Sequence, residues 1–255
     1  MKIIIPMAGR GSRFTDLSNL NPEYKKPKPM INIKGKPMIT WAVRSLKSFQ
    51  PKPSDFIFIC RQSHEDQFKI SKSLKEFFGD QIKIILIDQI TRGAAETVLK
   101  ANKYINTEDI IVLDSDNYFD GSFLFEKVKN KNSQAQGVIP VFVPPDKDHT
   151  WSFSLVGKDN LITAVGEKDK ILAEKGALAN IGSYYFTHGN IFIKEVEAAI
   201  AENDLTGDKG KKEFYVAPIY QRLINKGMKI VAALTPKVWG LGTPKDVEYF
   251  EENFI

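Results

Sequence analysis

The chain has 255 residues, 42% of them hydrophobic and 26% charged, with three histidines and a single cysteine. These proportions belong to a folded globular protein and exclude intrinsic disorder and a disulfide framework. No run approaches the roughly 18 apolar residues of a membrane span, and the apolar stretch before Gly9 is too short for a signal peptide, so a cytoplasmic protein without a membrane partner is expected.

The net charge of +5 and the sequence pI near 9.0 admit nucleic acid, a membrane surface or small anions as partners. The lysines are scattered over the chain except for Lys25, Lys26, Lys28, Lys34 and Lys36, which points to a local anion site and not to nucleic acid. That cluster follows the first element. A short apolar strand over 2–6 runs into Met7-Ala8-Gly9-Arg10-Gly11-Ser12-Arg13-Phe14. A glycine-rich turn after a strand lets the backbone N–H groups of Ala8, Gly9, Gly11 and Ser12 approach a phosphate, because two of these residues have no Cβ. Arg13 adds a planar fork that clamps phosphate oxygens at two points, and Lys28 adds a compact point charge. The arrangement reads as a triphosphate cradle. Two other phosphate loops are excluded by spelling: the dinucleotide fingerprint needs a third glycine where Phe14 stands, and a Walker A loop needs Ser or Thr where Pro37 follows Gly35-Lys36.

Further along, apolar runs of strand length recur at 55–60, 82–88, 109–114 and 137–143. Between them Met38, Ile39, Ala42, Val43, Leu46 and Phe49 repeat at helical spacing, and Gly93 opens a second helical stretch to Tyr104. The alternation predicts an α/β fold, a mostly parallel central sheet with helices on both faces and ligands at the carboxyl ends of the strands. At Pro144-Pro145 the texture changes. Short alternating strands are expected over 150–156 and 161–168, then a strand over 179–187, helices near 190–203 and 212–226, a strand over 228–234 and a helix after Pro244. With no repeat and no low-complexity linker, one domain is expected, its nucleotide half (1–143) meeting a smaller mixed acceptor half (144–255) at a cleft.

Chemistry is signalled again at Leu113-Asp114-Ser115-Asp116-Asn117. Carboxylates at the tip of a buried strand are costly unless water, donors or cations meet them, so the pair suggests a divalent metal with Asp116 as its leading ligand. The alternative is that Asp114 or Asp116 caps a following helix. Cys60 ends the apolar run from Phe56 and reads as a buried structural thiol, and His64, His149 and His188 lack ligand spacing.

Taken together, Pro6 to Phe14, Lys26-Pro27-Lys28-Pro29-Met30-Ile31 and Gly35-Lys36-Pro37-Met38-Ile39 resemble the signature of the nucleotidyltransferases that make nucleotide sugars, roughly A-G-x-G-[ST]-R, P-K-x-[LM] and x-P-M-I. The resemblance extends nearly to the C-terminus. It implies that Asp116 holds the Mg²⁺ that bridges nucleotide and acceptor. It also implies that Gln89 faces the nucleobase with Gly93 close behind it. Glu167 and Lys168 resemble the pair whose lysine contacts the acceptor phosphate, and Asn180-Ile181-Gly182-Ser183-Tyr184 resembles the strand that lines the acceptor pocket.

Two departures stand out. In Trp239-Gly240-Leu241-Gly242-Thr243-Pro244 the family's W-x-D-x-G-T-P is imperfect, with Gly240 where a second metal aspartate is usual. Asp114, on the same side of an extended strand as Asp116, is the candidate substitute. In the acceptor pocket a Tyr-Gly pair common in sugar-specific members is absent, and Trp151-Ser152-Phe153 stands nearby.

The reaction so implied is attack of an acceptor phosphate on the α-phosphorus of a nucleoside triphosphate, with pyrophosphate leaving and no covalent intermediate. Arg13 and Lys28 would neutralise the β- and γ-phosphates and Lys168 would hold the incoming phosphate. The Gly-Leu-Gly-Thr-Pro ending resembles that of capsule-modification cytidylyltransferases, which favours CTP or another pyrimidine nucleotide. The acceptor would be a sugar 1-phosphate, phosphocholine or a phosphorylated amide, in the making of surface polysaccharide precursors. Two other readings stay open: a glycosyltransferase using Asp114-Ser115-Asp116 as its D-x-D, and a non-catalytic nucleotide-sugar-binding module. Oligomeric state, including a homo-oligomer, is left open.

Overall fold

The computed structural model describes residues 1–144, 150–207, 210 and 212–255; Pro145 of the expected break and His149 lie outside the described residues. In chain order the first elements are β1 (Lys2–Pro6), α1 (Ser12–Thr15), β2 (Asn32–Ile33), β3 (Lys36–Pro37), α2 (Met38–Arg44), β4 (Phe56–Arg61), α3 (Gln62–Phe68) and α4 (Ile70–Phe78). Next come β5 (Lys83–Ile87), α5 (Ala94–Val98), β6 (Ile110–Leu113), β7 (Asn117–Phe119), α6 (Ser122–Lys129) and β8 (Ala135–Phe142). The remainder is β9 (Ser152–Val156), β10 (Ile162–Glu167), α7 (Lys170–Glu174), β11 (Leu178–Asn180), β12 (Ser183–Phe186), α8 (Gly189–Ala201), α9 (Ala217–Asn225), β13 (Lys229–Leu234), β14 (Val238–Gly240) and α10 (Pro244–Asn253).

The central strands run as continuous apolar segments because both faces of the sheet are covered. Ile4, Ile57, Ile59, Ile110 and Val112 point into one core layer, and Ile3, Ile5, Phe58, Cys60, Ile111 and Leu113 into the other, as a two-residue period requires. β5, β4, β1 and β6 pair in parallel. β12 is antiparallel to both β6 and β8, and β8 pairs in parallel with β13 on its other edge. Beyond them β11, β9 and β10 continue the ten-stranded sheet with antiparallel pairing. The sheet is thus parallel at its core and mixed in the portion built from later residues. Cys60 is fully buried, and desolvation, helped by the charge of Glu65, pushes its thiol up to about 12, as befits a structural residue.

Several expectations are corrected. The strand foreseen over 179–187 is broken at Ile181-Gly182, where Gly182 turns at φ 76° and its carbonyl accepts from the Asp114 N–H at 2.7 Å. This break lets one stretch of chain pair first with β9 and then with β6. The helix from Met38 gives way to a 3₁₀ turn at Lys47–Phe49, and α5 gives way to another at Leu99–Tyr104. The helix expected from 212 begins at Ala217. Neither Asp114 nor Asp116 caps a helix, because β7 follows and pairs antiparallel with β14, setting Asn117 opposite Gly240. None of the described helices is long and apolar enough to cross a membrane.

A small third core ties the ends of the chain together. Phe14, Ile33, Met38 and Trp41 pack with Leu241, Val247 and Phe250. The Trp41 Nε1–H donates to the Ile33 carbonyl at 3.0 Å, and the indole meets Tyr118, Phe250 and Phe254 edge-on at 5.1–5.6 Å. Truncating a buried tryptophan of this kind leaves a cavity and an orphaned carbonyl. Trp41→Ala is therefore expected to lower stability by about 3–5 kcal/mol, measured by urea unfolding; a loss under ~1 kcal/mol would show that this cluster does not hold the termini.

Candidate active site

A cavity of about 600 Å³ opens where the carboxyl end of β6 meets the antiparallel strands. Arg13 enters it from the segment after β1, Asp114 and Asp116 from the turn after β6, and Asn117 from the start of β7. Trp151, Ser152, Glu167, Asn180 and Tyr184 come from β9 to β12 and their approaches, Tyr215 from the approach to α9, and Gly240 to Asp246 from the C-terminal turn.

On the nucleotide side two loops pack on each other. Gly11 caps α1 at φ 67°, and a Cβ there would stand 3.3 Å from Lys28 Cβ, so conformation and space both ask for glycine. Pro27 and Pro29 bracket Lys28 and restrict the backbone on either side. The Lys28 ammonium donates to Asp116 Oδ2 across 88 residues of sequence. The supposed phosphate lysine and the supposed metal aspartate are therefore an ion pair. Ala8, Gly9, Gly11 and Ser12 do not line the cavity themselves; they lead to Arg13, which does.

The two strand-end aspartates differ in state. Desolvation first, then the negative charge of Asp116 and that of Glu167, with Lys28 opposing, raises the Asp114 carboxyl to about 8. Asp114 thus keeps its proton at neutral pH while Asp116 faces Lys28. Gly182 backs Asp114 so closely that a Cβ would lie 2.5 Å from its Oδ2.

The C-terminal turn supplies a carboxylate that sequence reading missed. Thr243 caps α10, its hydroxyl accepting from the Asp246 N–H at 3.2 Å and donating to Asp246 Oδ2 at 2.7 Å. The cap turns Asp246 back over the cavity. A Cβ on Gly242 would stand 3.3 Å from Asp116 Oδ2 and 3.8 Å from both Asp246 Oδ2 and Arg13 Nη1, so one open spot is flanked by three charged side chains. The Thr-Pro-x-Asp spelling was the available signal, since it marks a helix start with an acidic residue in its first turn.

On the other side, Asn180 is buried and its amide is engaged, with Oδ1 accepting from Ser154 at 2.7 Å and Nδ2 donating to Ser152 at 2.9 Å. Trp151 stacks edge-on against Phe142 at 5.2 Å. Glu167 lines the cavity, and Lys168 rests its ammonium on Tyr215. Gln89 lies elsewhere, in a cleft of about 580 Å³ lined also by Arg92 and Glu96. Gly93 is close behind something, but that something is protein: a Cβ there would come within 2.5 Å of the Phe214 backbone. His64, driven down to about 4 by desolvation and the Arg61 charge, and His188, on the Thr107 carbonyl, lie outside the cavity. Among the described residues no group of three or more His, Cys, Asp or Glu side chains has metal-holding geometry.

No protein-family model matches the chain. It is 25% identical over 239 residues to the bifunctional protein GlmU of Thermodesulfovibrio yellowstonii, covering 91% of this chain and 46% of that protein. To GlmU of Methanococcus maripaludis it is 26% identical over 259 residues, covering 100% and 54%. The chain spans about half the length of these relatives. The nucleoside-diphosphate-sugar pyrophosphorylase of Vibrio cholerae superposes with a TM-score of 0.79 at 25% identity, over 98% of this chain and 100% of that one. In sequence and in fold the chain is thus similar to sugar nucleotidyltransferases. The inositol-1-phosphate CTP transferase of T. maritima shares the fold, with a TM-score of 0.73 at 12% identity over 100% and 97% of the two chains.

The state of Asp114 gives the protein a pH signature. Between the ordinary value of 3.8 and the raised one of about 8, the unfolded chain releases this proton and the folded chain keeps it. Stability contributed by the group therefore falls as pH rises through that window and levels off above it. Urea midpoints of the metal-free protein at the two ends of the window should differ in this sense, and the difference should shrink in Asp114→Asn; an unchanged difference would show that Asp114 ionises normally.

Proposed function

We propose that the chain transfers a nucleotidyl group from a nucleoside triphosphate to a small phosphorylated acceptor, releasing pyrophosphate. The observation that carries this reading is the Lys28–Asp116 ion pair beside Arg13. It ties the lysine-rich loop to Asp116, which lines the cavity together with Arg13 from the glycine-rich segment, the combination that triphosphate chemistry needs. A D-x-D glycosyltransferase has no triphosphate to neutralise and does not need this cradle. A non-catalytic binding module would have little use for an acceptor lysine such as Lys168.

The residues fit a Mg²⁺ ion: Asp116 and, once deprotonated, Asp114 would hold it, and the missing Cβ of Gly242 leaves the flank of Asp116 open. When bound, Mg²⁺ supplies neutralisation of phosphate charge, and it is satisfied by one or two carboxylates plus substrate oxygens. The chain's own part is placement and charge. Arg13 and Lys28 bind the β- and γ-phosphates, and an incoming triphosphate draws Lys28 from Asp116. Lys168 holds the acceptor phosphate in line with the α-phosphorus, whose attack needs no protein nucleophile because the acceptor is already an anion. The finer reading is CTP or another pyrimidine nucleotide, a sugar 1-phosphate, phosphocholine or phosphorylated amide as acceptor, and a cytoplasmic role in surface polysaccharide precursors. The nucleotide and acceptor halves are 1–143 and 144–255.

Pyrophosphate release from each of the four common triphosphates against a panel of sugar 1-phosphates and phospho-alcohols tests the reading. Lys28→Ala and Arg13→Ala should each cost about a hundredfold in turnover, on the order of 3 kcal/mol, with thermal stability unchanged. Wild-type turnover in both variants would overturn the cradle, and Mg²⁺-dependent activity surviving in Asp116→Asn would overturn the metal assignment.

A further inference from the structure

We propose that Tyr215 is a positioning residue for Lys168, holding its ammonium at the cavity for the acceptor phosphate; the inference rests on the acceptor role read for Lys168 above. Lys168 sits in the left-handed backbone region at φ 54°, which a non-glycine residue occupies only where its surroundings compel it. Its N–H donates to the Trp151 carbonyl at 3.0 Å, keeping that turn closed at the end of β10. Its side chain ends on Tyr215, with Nζ donating to the phenol oxygen at 3.4 Å and lying 5.5 Å from the ring centre. Tyr215 lines the cavity, so this contact places the lysine charge beside the site. A long, flexible ammonium gains from such a fixed aromatic and hydroxyl partner, because less side-chain freedom is left to lose when the anion arrives.

Tyr215 is itself held from behind. The residue before it, Phe214, donates its N–H to the Arg92 carbonyl and accepts from the Ala95 N–H, each at 2.9 Å. Gly93 lies between, where any Cβ would strike the Phe214 backbone at 2.5 Å. The Arg92 guanidinium covers the Phe214 ring at 4.8 Å and is anchored by Glu96 at 2.7 Å. Upstream, Thr206 and Glu213 exchange backbone hydrogen bonds at 2.9 and 3.1 Å. By leaving room for the Phe214 backbone, Gly93 helps to fix the backbone from which Tyr215 projects.

Steady-state kinetics with each substrate varied in turn test the proposal. Tyr215→Phe keeps the ring and removes the hydroxyl, so it should raise the acceptor KM roughly three- to tenfold, the worth of one hydrogen bond, while the triphosphate KM and thermal midpoint stay at wild-type values. Lys168→Met should raise the acceptor KM further, and adding Tyr215→Phe to it should cost nothing more, because residues acting through one another are non-additive. A wild-type acceptor KM in Tyr215→Phe alongside an impaired Lys168→Met, or additive losses in the double variant, would overturn the positioning role. An unchanged acceptor KM in Lys168→Met would instead overturn the acceptor reading of Lys168.

Discussion

The ion pair between Lys28 and Asp116 is the constraint on which the site depends. Its side chains are about one-fifth exposed, shielded enough that the pair is not merely a surface contact screened by salt. Without Lys28, the two neighbouring carboxyl groups would lose the cation that pairs directly with one of them. With it, Asp116 carries the negative charge and Asp114 keeps a proton. The same contact binds the loop carrying Lys28 to the turn after β6, so the electrostatics of the site also set its geometry.

Three features keep that contact in register. The aromatic cluster around Trp41 and Phe250 holds the N-terminal loops against α10. Gly11 lets the first loop settle on Lys28, and Gly242 leaves space among Asp116, Asp246 and Arg13. The β7–β14 ribbon ties them together, with the Leu241 N–H donating to the Asp116 carbonyl at 2.8 Å. Removing side chains at the glycines and concentrating them in the tryptophan cluster serve one end, which is to bring charged groups from the two ends of the chain to one point.

The sheet joins the two sides of the cavity. Parallel strands β4, β1 and β6 direct their carboxyl ends to one edge, and β12 then reverses direction beside β6. The break at Gly182 passes the chain from one pairing to the next directly behind Asp114. The aspartates and the Asn180 wall therefore belong to neighbouring strands of a single sheet, and their separation is set by backbone pairing.

By itself the sequence determined the elements whose residues repeat a local period and the motifs whose chemistry is contiguous. The buried strands were legible because covering both faces demands unbroken runs of Ile, Val and Phe, as in β1, β4 and β6. The glycine-rich turn, Lys28 and the strand-end aspartates were legible as candidates because the phosphate and metal chemistry proposed for them would restrict residue type over short spacings. Helices α3 and α6 escaped notice because Gln62–Phe68 and Ser122–Lys129 bury so few residues that their apolar period is faint. Tertiary structure alone decided that Lys28 pairs with Asp116, that Gly93 makes room for Phe214, that Asp246 leans over the cavity and that Asp114 keeps its proton. Each of these depends on groups far apart in sequence meeting at van der Waals or hydrogen-bond distance, where charge and excluded volume act strongly, and no local spacing encodes such a meeting.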